Sequence, residues 1–107
     1  MPRTPPFIIT YARQTREHLA AIDKKFYSLI ENAVNEQLQY EPLTRARNRK
    51  TLRQPASFGA TWELRCGTEN RFRILYAVDE QAREVIIVAI GTKIGNRLFV
   101  GKEELDL

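Results

Sequence analysis

Between residues 12 and 40 the chain has no glycine and no proline, and after Pro55 its apolar residues alternate instead of following a helical period. That switch constrains the fold more than any other feature. Helical segments come first and strands follow, which is the order of an α+β domain. Within the helical stretch, Leu19 and Ile22 mark a brief first helix. Phe26, Leu29, Ile30, Ala33, Val34 and Leu38 then recur at three- and four-residue steps, the pattern of a helix with one buried face. Asp23 lies between the two as a candidate cap, and Pro42 ends the region. Ahead of it, Phe7-Ile8-Ile9-Thr10-Tyr11 is β-branched and aromatic and reads as a first strand.

The second half reads as a meander. Trp62 and Leu64 alternate with Glu63 and Arg65, and residues 71–78 alternate again, with Arg71 and Arg73 opposite Phe72 and Ile74. Turn residues at 67–70 and 79–82 separate the runs. Residues 84–90 are apolar enough for a central strand covered on both faces. Beyond them come glycines at 91, 95 and 101, the apolar piece Leu98-Phe99-Val100 and an acidic tail at 103–107. Short turns favour antiparallel neighbours. The expectation is two N-terminal helices packed on a twisted antiparallel β-sheet, with residues 1–107 as a single domain. The opposite sheet face, bearing Glu63, Arg65, Arg71 and Arg73, is expected to be partly open.

Composition closes off several chemistries. A lone cysteine, Cys66, allows no internal disulfide, and one histidine, His18, allows no histidine-based metal cage. No phosphate-binding loop, dinucleotide fingerprint or paired-carboxylate motif is present, so neither a cofactor nor a metal is expected. Nothing at the N-terminus reads as a signal peptide, and no apolar run approaches the ~20 residues of a membrane span, so a cytoplasmic protein without a membrane partner is expected.

Charge points to a partner. The net charge is +4, but residues 45–73 carry eight basic side chains against two acidic ones, leaving the rest of the chain at −2. Arg45, Arg47, Arg49, Lys50 and Arg53 crowd into nine residues; such runs are usually solvated surface, but this one directly precedes the arginine-bearing strands. Arginines of neighbouring strands on one face repel each other, and a phosphodiester backbone would relieve that repulsion. Pairing with Glu63 or Glu69 would relieve it as well. Lys93 and Arg97, in the glycine-punctuated segment, form a third basic group.

The order of these pieces resembles the RelE/ParE toxin superfamily of type II toxin–antitoxin systems. The resemblance rests on the helix pair, a basic connector with Leu52, Trp62-Glu63-Leu64-Arg65, Arg71-Phe72-Arg73-Ile74-Leu75-Tyr76-Ala77-Val78-Asp79 and the apolar strand at 85–90. It implies a cognate antitoxin as partner. In nuclease members it implies cleavage of ribosome-bound mRNA, making this chain an mRNA interferase. By position, Arg65 and Arg73 match basic active-site residues, and Lys93 falls near another.

The implied reaction is attack of an RNA 2′-hydroxyl on the adjacent phosphate, which needs proton removal, charge stabilisation and protonation of the leaving oxygen. Arg73 is the candidate phosphate stabiliser, with Arg65 assisting. Glu63 or Lys93 is the candidate base, although Glu63 could instead orient an arginine. Arg45, Arg47, Arg49, Lys50, Arg53, Arg71 and Arg97 are the candidate RNA contacts. Several nuclease members carry a Tyr or His near the C-terminus for proton transfer, and Phe99 stands in that segment here. Poisoning of DNA gyrase, the ParE activity, and a non-catalytic RNA-binding module are the alternatives.

Overall fold

The computed structural model describes residues 5–105. Met1–Thr4 of the segment read for a signal peptide, and Asp106 and Leu107 of the acidic tail, lie outside the described residues. Among the described residues seven strands form one sheet: β1 (Ile8–Tyr11), β2 (Arg49–Thr51), β3 (Trp62–Cys66), β4 (Phe72–Asp79), β5 (Glu84–Ile94), β6 (Arg97–Val100) and β7 (Glu103–Leu105). Strands β2 to β7 lie in sequence order and antiparallel. The first strand differs from expectation, because β1 runs parallel to β5, with Ile8–Tyr11 beside 84–87. Alternation is the same in both orientations, so the sequence carried no sign of this.

The expected pair of helices is also corrected. One principal helix, α2 (Tyr27–Leu38), is preceded by a six-residue segment, α1 (Thr15–Ala20), and a 3-10 turn at Lys24–Phe26. The stripe of Leu19 and Ile22 sustains only these six residues of helix, and Ile22 falls beyond their end. Asp23 does cap, but it caps the 3-10 turn, accepting from the Lys25 N–H at 3.0 Å. Along α2, Ile30, Val34 and Leu38 lie one turn apart and are buried, each contributing about 1.5–3 kcal/mol by leaving water. Leu29, in the expected stripe, is exposed.

This face of α2 packs on Leu64, Phe72, Ile74, Tyr76, Val85, Ile87 and Ile90, the main core. A smaller core on the other sheet face gathers Ala60, Leu75, Val88, Ala89, Leu98 and Val100. The register of β4 against β5 shifts between Leu75 and Tyr76, leaving Val88 as an extra residue. Val88 and Ala89 therefore both join the smaller core, the local effect of a bulge.

β4 pairs with one edge of β5, so β1 and β6 lie end to end along the other. Side chains of Gln14, the N-cap residue of α1, and of His18 within it serve the interval between them. Gln14 Nε2 donates to the Val88 carbonyl at 3.0 Å, and the Ile90 N–H donates to His18 Nδ1 at 3.3 Å. His18, buried at 6 % exposure, thus stands in for a missing strand partner. Burial lowers its pKa, with Glu17 opposing more weakly.

Candidate functional site

The smaller core does not cover its whole sheet face. Beside it opens a cleft of about 570 Å³, floored by Glu63 and Arg65 of β3, Arg73 and Leu75 of β4, Lys93 of β5 and Leu98 of β6. Lys50 of β2 and the 52–57 loop, with Arg53, Gln54 and Ser57, form one wall, and Leu105 of β7 borders it too. Among the described residues, five cationic side chains and one carboxylate line this cleft. Its low-dielectric floor and single dominant sign concentrate positive potential where a polyanion would enter.

Register explains the arrangement. Lys50 is opposite Glu63, Arg65 is opposite Arg73, and Arg73 is opposite Gly91, so every second residue of neighbouring strands points into the cleft. Gly91 matters by having no side chain: a Cβ there would lie 2.9 Å from Leu98 Cδ1 and 3.0 Å from the Phe99 carbonyl oxygen. Glycine lets β6 approach closely and leaves the space beside Arg73 open.

Glu63 organises the cations. Its Oε1 accepts from Arg65 Nε at 2.8 Å and from Arg73 Nη1 at 3.0 Å. Arg73 is fixed again by its Nε, which donates to the Asn70 carbonyl at 3.1 Å. Asn70 ends a turn in which Glu69 and Asn70 both adopt positive φ, 57° and 54°, aiming that carbonyl at the guanidinium. Arg73 and Glu63 are buried, while the Arg65 side chain keeps 29 % of its surface exposed. Among the described residues, the two terminal nitrogens of Arg65 and the Nη2 of Arg73 have no protein partner. Two guanidinium groups are thus held by their inner edges with outer edges free, the disposition needed to grip a phosphate.

The cleft unites Glu63, Arg65, Arg73, Lys93, Lys50 and Arg53, and the other expected contacts lie elsewhere. Arg49 is turned to the helix side and buried, because it pairs with Leu64 of the main core face. There its Nη1 donates to the carbonyls of Gln37 at 2.6 Å and Glu41 at 3.1 Å, so it closes the C-terminal end of α2 rather than meeting a ligand. Arg45 donates to Thr51 Oγ1 at 2.8 Å, and Arg47 is exposed; neither lines the cleft. Arg71 precedes β4 in a helical backbone conformation, so the alternation does not reach it, and its guanidinium lies over Phe26 and Phe72. Arg97 extends from the other face of β6 and meets Glu104 at 3.6 Å.

Phe99 is corrected as well. It pairs with Thr92, opposite Phe72, and faces the side of His18 and Phe26. The β6 residue beside Lys93 in the cleft is Leu98. No histidine or tyrosine lines the cleft among the described residues. Of the remaining expectations, Trp62 and Tyr76 are buried and stacked, with ring centroids 6.2 Å apart. The Tyr76 hydroxyl donates to the Pro42 carbonyl at 2.7 Å, and burial raises its pKa. Burial also pushes the Cys66 thiol up to about 11, so it is no nucleophile at neutral pH. Among the described residues no three His, Cys, Asp or Glu side chains gather as metal ligands, and no helix is long and apolar enough to cross a membrane.

The chain's overall shape has a solved counterpart. A chain in the crystal structure of the toxin–antitoxin complex RelBE2 from Mycobacterium tuberculosis superposes with a TM-score of 0.67 at 22% identity, covering 87% of this chain and 98% of that one. The two chains share a fold. That likeness is one of architecture alone. No family model and no curated protein matches this sequence.

Proposed function

We propose that this chain is the toxin of a toxin–antitoxin pair and that it cuts mRNA on the ribosome, with a small antitoxin as its inhibitory partner. The observation that carries the reading is the pair of arginines gripped by Glu63 inside a cleft with Lys93. Support for the toxin role comes from the shared fold with a chain of the RelBE2 complex. The chemistry runs as follows. The 2′-oxygen of one nucleotide attacks the adjacent phosphorus, the bond to the 5′-oxygen breaks, and a 2′,3′-cyclic phosphate remains. Charge gathers on the non-bridging oxygens during attack, and Arg73 with Arg65 stabilises it.

Glu63 orients rather than deprotonates. Its Oε1 already accepts from two guanidiniums, so it is occupied in positioning Arg65 and Arg73. Lys93, on the same floor, is then the group that exchanges protons with the attacking and leaving oxygens. Expression of the chain in bacteria should stop protein synthesis and leave transcripts ending in cyclic phosphate. Arg65→Ala should remove both effects; equal toxicity from that variant would take the arginine pair out of the mechanism.

One observation favours a second reading. The cleft offers no histidine or tyrosine for proton transfer among the described residues. Poisoning of DNA gyrase needs no such group, and it would show as a fall in DNA synthesis. An RNA-binding module without catalysis would show as binding without growth arrest.

A further inference from the structure

The basic cleft does not end at Lys93. That side chain also lines a shallower groove of about 550 Å³, over the rim of the sheet, whose other walls include Thr68, Glu69 and Arg71. Arg71 in turn lines a third hollow, of about 300 Å³, with Phe26 and Phe72. Lys93 and Arg71 therefore link three concavities into one track.

Arg71 is placed unusually for a surface arginine. Its guanidinium lies 4.7 Å from the Phe26 ring centroid and 5.5 Å from that of Phe72, and the two rings are 5.1 Å apart. Its backbone is tied down, the N–H donating to the Thr68 carbonyl at 3.1 Å and the carbonyl accepting from the Lys93 N–H at 2.8 Å, but the exposed side chain makes no hydrogen bond or ion pair among the described residues. Lys25 Nζ sits 5.2 Å from the same Phe26 centroid, so two cations converge on one ring. Asp23 lines the hollow as well, with its Oδ1 engaged by the Lys25 N–H. The Phe72 ring is held from behind: a Cβ at Gly67 would lie 2.9 Å from Phe72 Cδ2, so the 67–70 turn presses directly against it. Arg71 thus brings a planar cation close to two rings tilted 57° to each other, with its side-chain donors unspent among the described residues.

We infer that Arg71, backed by Phe26 and Phe72, is a stacking platform for an unpaired base of the RNA strand, flanking the phosphate held by Arg65 and Arg73. The inference rests on the cleft being an RNA site. Single-stranded RNA offers alternating charge and planar bases, and this track offers cations at Arg65, Arg73 and Lys93 followed by one planar, aromatic-backed cation. Stacking on a guanidinium plane accepts any base, so the platform would set strand path and register more than sequence.

The test uses a single-stranded hexanucleotide of 2′-fluoro RNA, which lacks the attacking hydroxyl, with one abasic position walked along it. Binding is read by fluorescence anisotropy. For the wild-type chain one flanking position should be sensitive, its abasic form binding about 5- to 150-fold more weakly, as loss of one stacked base implies. Arg71→Ala should bind the intact strand more weakly by a similar factor and lose that sensitivity. Arg71→Lys keeps the charge but not the plane, and should also lose it. Retention of the abasic penalty in either variant would overturn the platform. If the wild type does not bind the hexamer, or Arg65→Ala binds as well as wild type, the RNA reading of the cleft falls instead, and the platform with it.

Discussion

Glu63→Ala is the perturbation that most directly probes how the cleft is built. The carboxylate lies 2.8 Å from Arg65 Nε and 3.0 Å from Arg73 Nη1, and Arg65 and Arg73 are direct cross-strand neighbours. Removing it leaves Arg73, with only 7 % of its side chain exposed, as a buried cation facing another. Breaking a buried pair by deleting one partner costs about 3–5 kcal/mol. Arg73 keeps its bond to the Asn70 carbonyl and Arg65 can turn to solvent, which brings the expected loss to about 2–3 kcal/mol. For a chain of this size that corresponds to a fall in Tm of roughly 10–20 °C. Thermal unfolding followed by the fluorescence of Trp62, the only tryptophan, would measure it. Inorganic phosphate should restore the variant more than the wild type, because it replaces the missing anion. A variant within about 2 °C of wild type, indifferent to phosphate, would refute the idea that Glu63 holds the arginines together.

Other residues give separable outcomes. Arg49→Ala should lower stability by about 2–4 kcal/mol, since it strips the donors from two carbonyls at the end of α2; activity per folded molecule should be unchanged, and a selective loss of activity would reassign Arg49 to the site. Phe99→Tyr should leave cleavage unaltered, because the ring faces away from the cleft; faster cleavage would contradict that placement. His18 must be neutral to accept from the Ile90 N–H, and its folded pKa lies below 6.5. The unfolded chain therefore binds the proton first, so the stability from this group is full above about pH 6.5 and declines as pH falls toward the folded value. Urea midpoints at pH 7.5 and 5.5 should show that decline, and His18→Gln should reduce it; an equal decline in the variant would exclude His18 as its source.

Much of the sheet was legible because its alternation is strict: Trp62 to Arg65 and Phe72 to Tyr76 fall on the faces the pattern assigns. That arginines of two neighbouring strands share a face followed from that alternation once the strands form a hairpin; that Arg65 stands opposite Arg73 is a matter of register. Glu63 between them could be foreseen only as an option, because residue spacing does not say which arginine a carboxylate reaches. Arg71 and Arg49 show where the pattern stops. Arg71 lies one residue before its strand begins, and Arg49, read as part of an irregular charge run, belongs to a three-residue strand whose alternation turns it inward. Phe99 was misplaced for a related reason: four residues of β6 do not fix which face is which until their pairing with β5 is known. The parallel β1 and the role of His18 depend on contacts more than 70 residues apart in the chain, which no local pattern records.

Whether the Arg65–Arg73 cleft acts on RNA can be read from induced expression in bacteria. Protein and DNA synthesis would be pulse-labelled for the wild-type chain and for Arg65→Ala, whose side chain is partly exposed and whose loss leaves Glu63 paired with Arg73. The expected result is a rapid fall in protein synthesis, cleaved transcripts with cyclic phosphate ends, and neither effect from the variant. A fall in DNA synthesis first, with intact transcripts, would contradict it, as would a variant as toxic as the wild type.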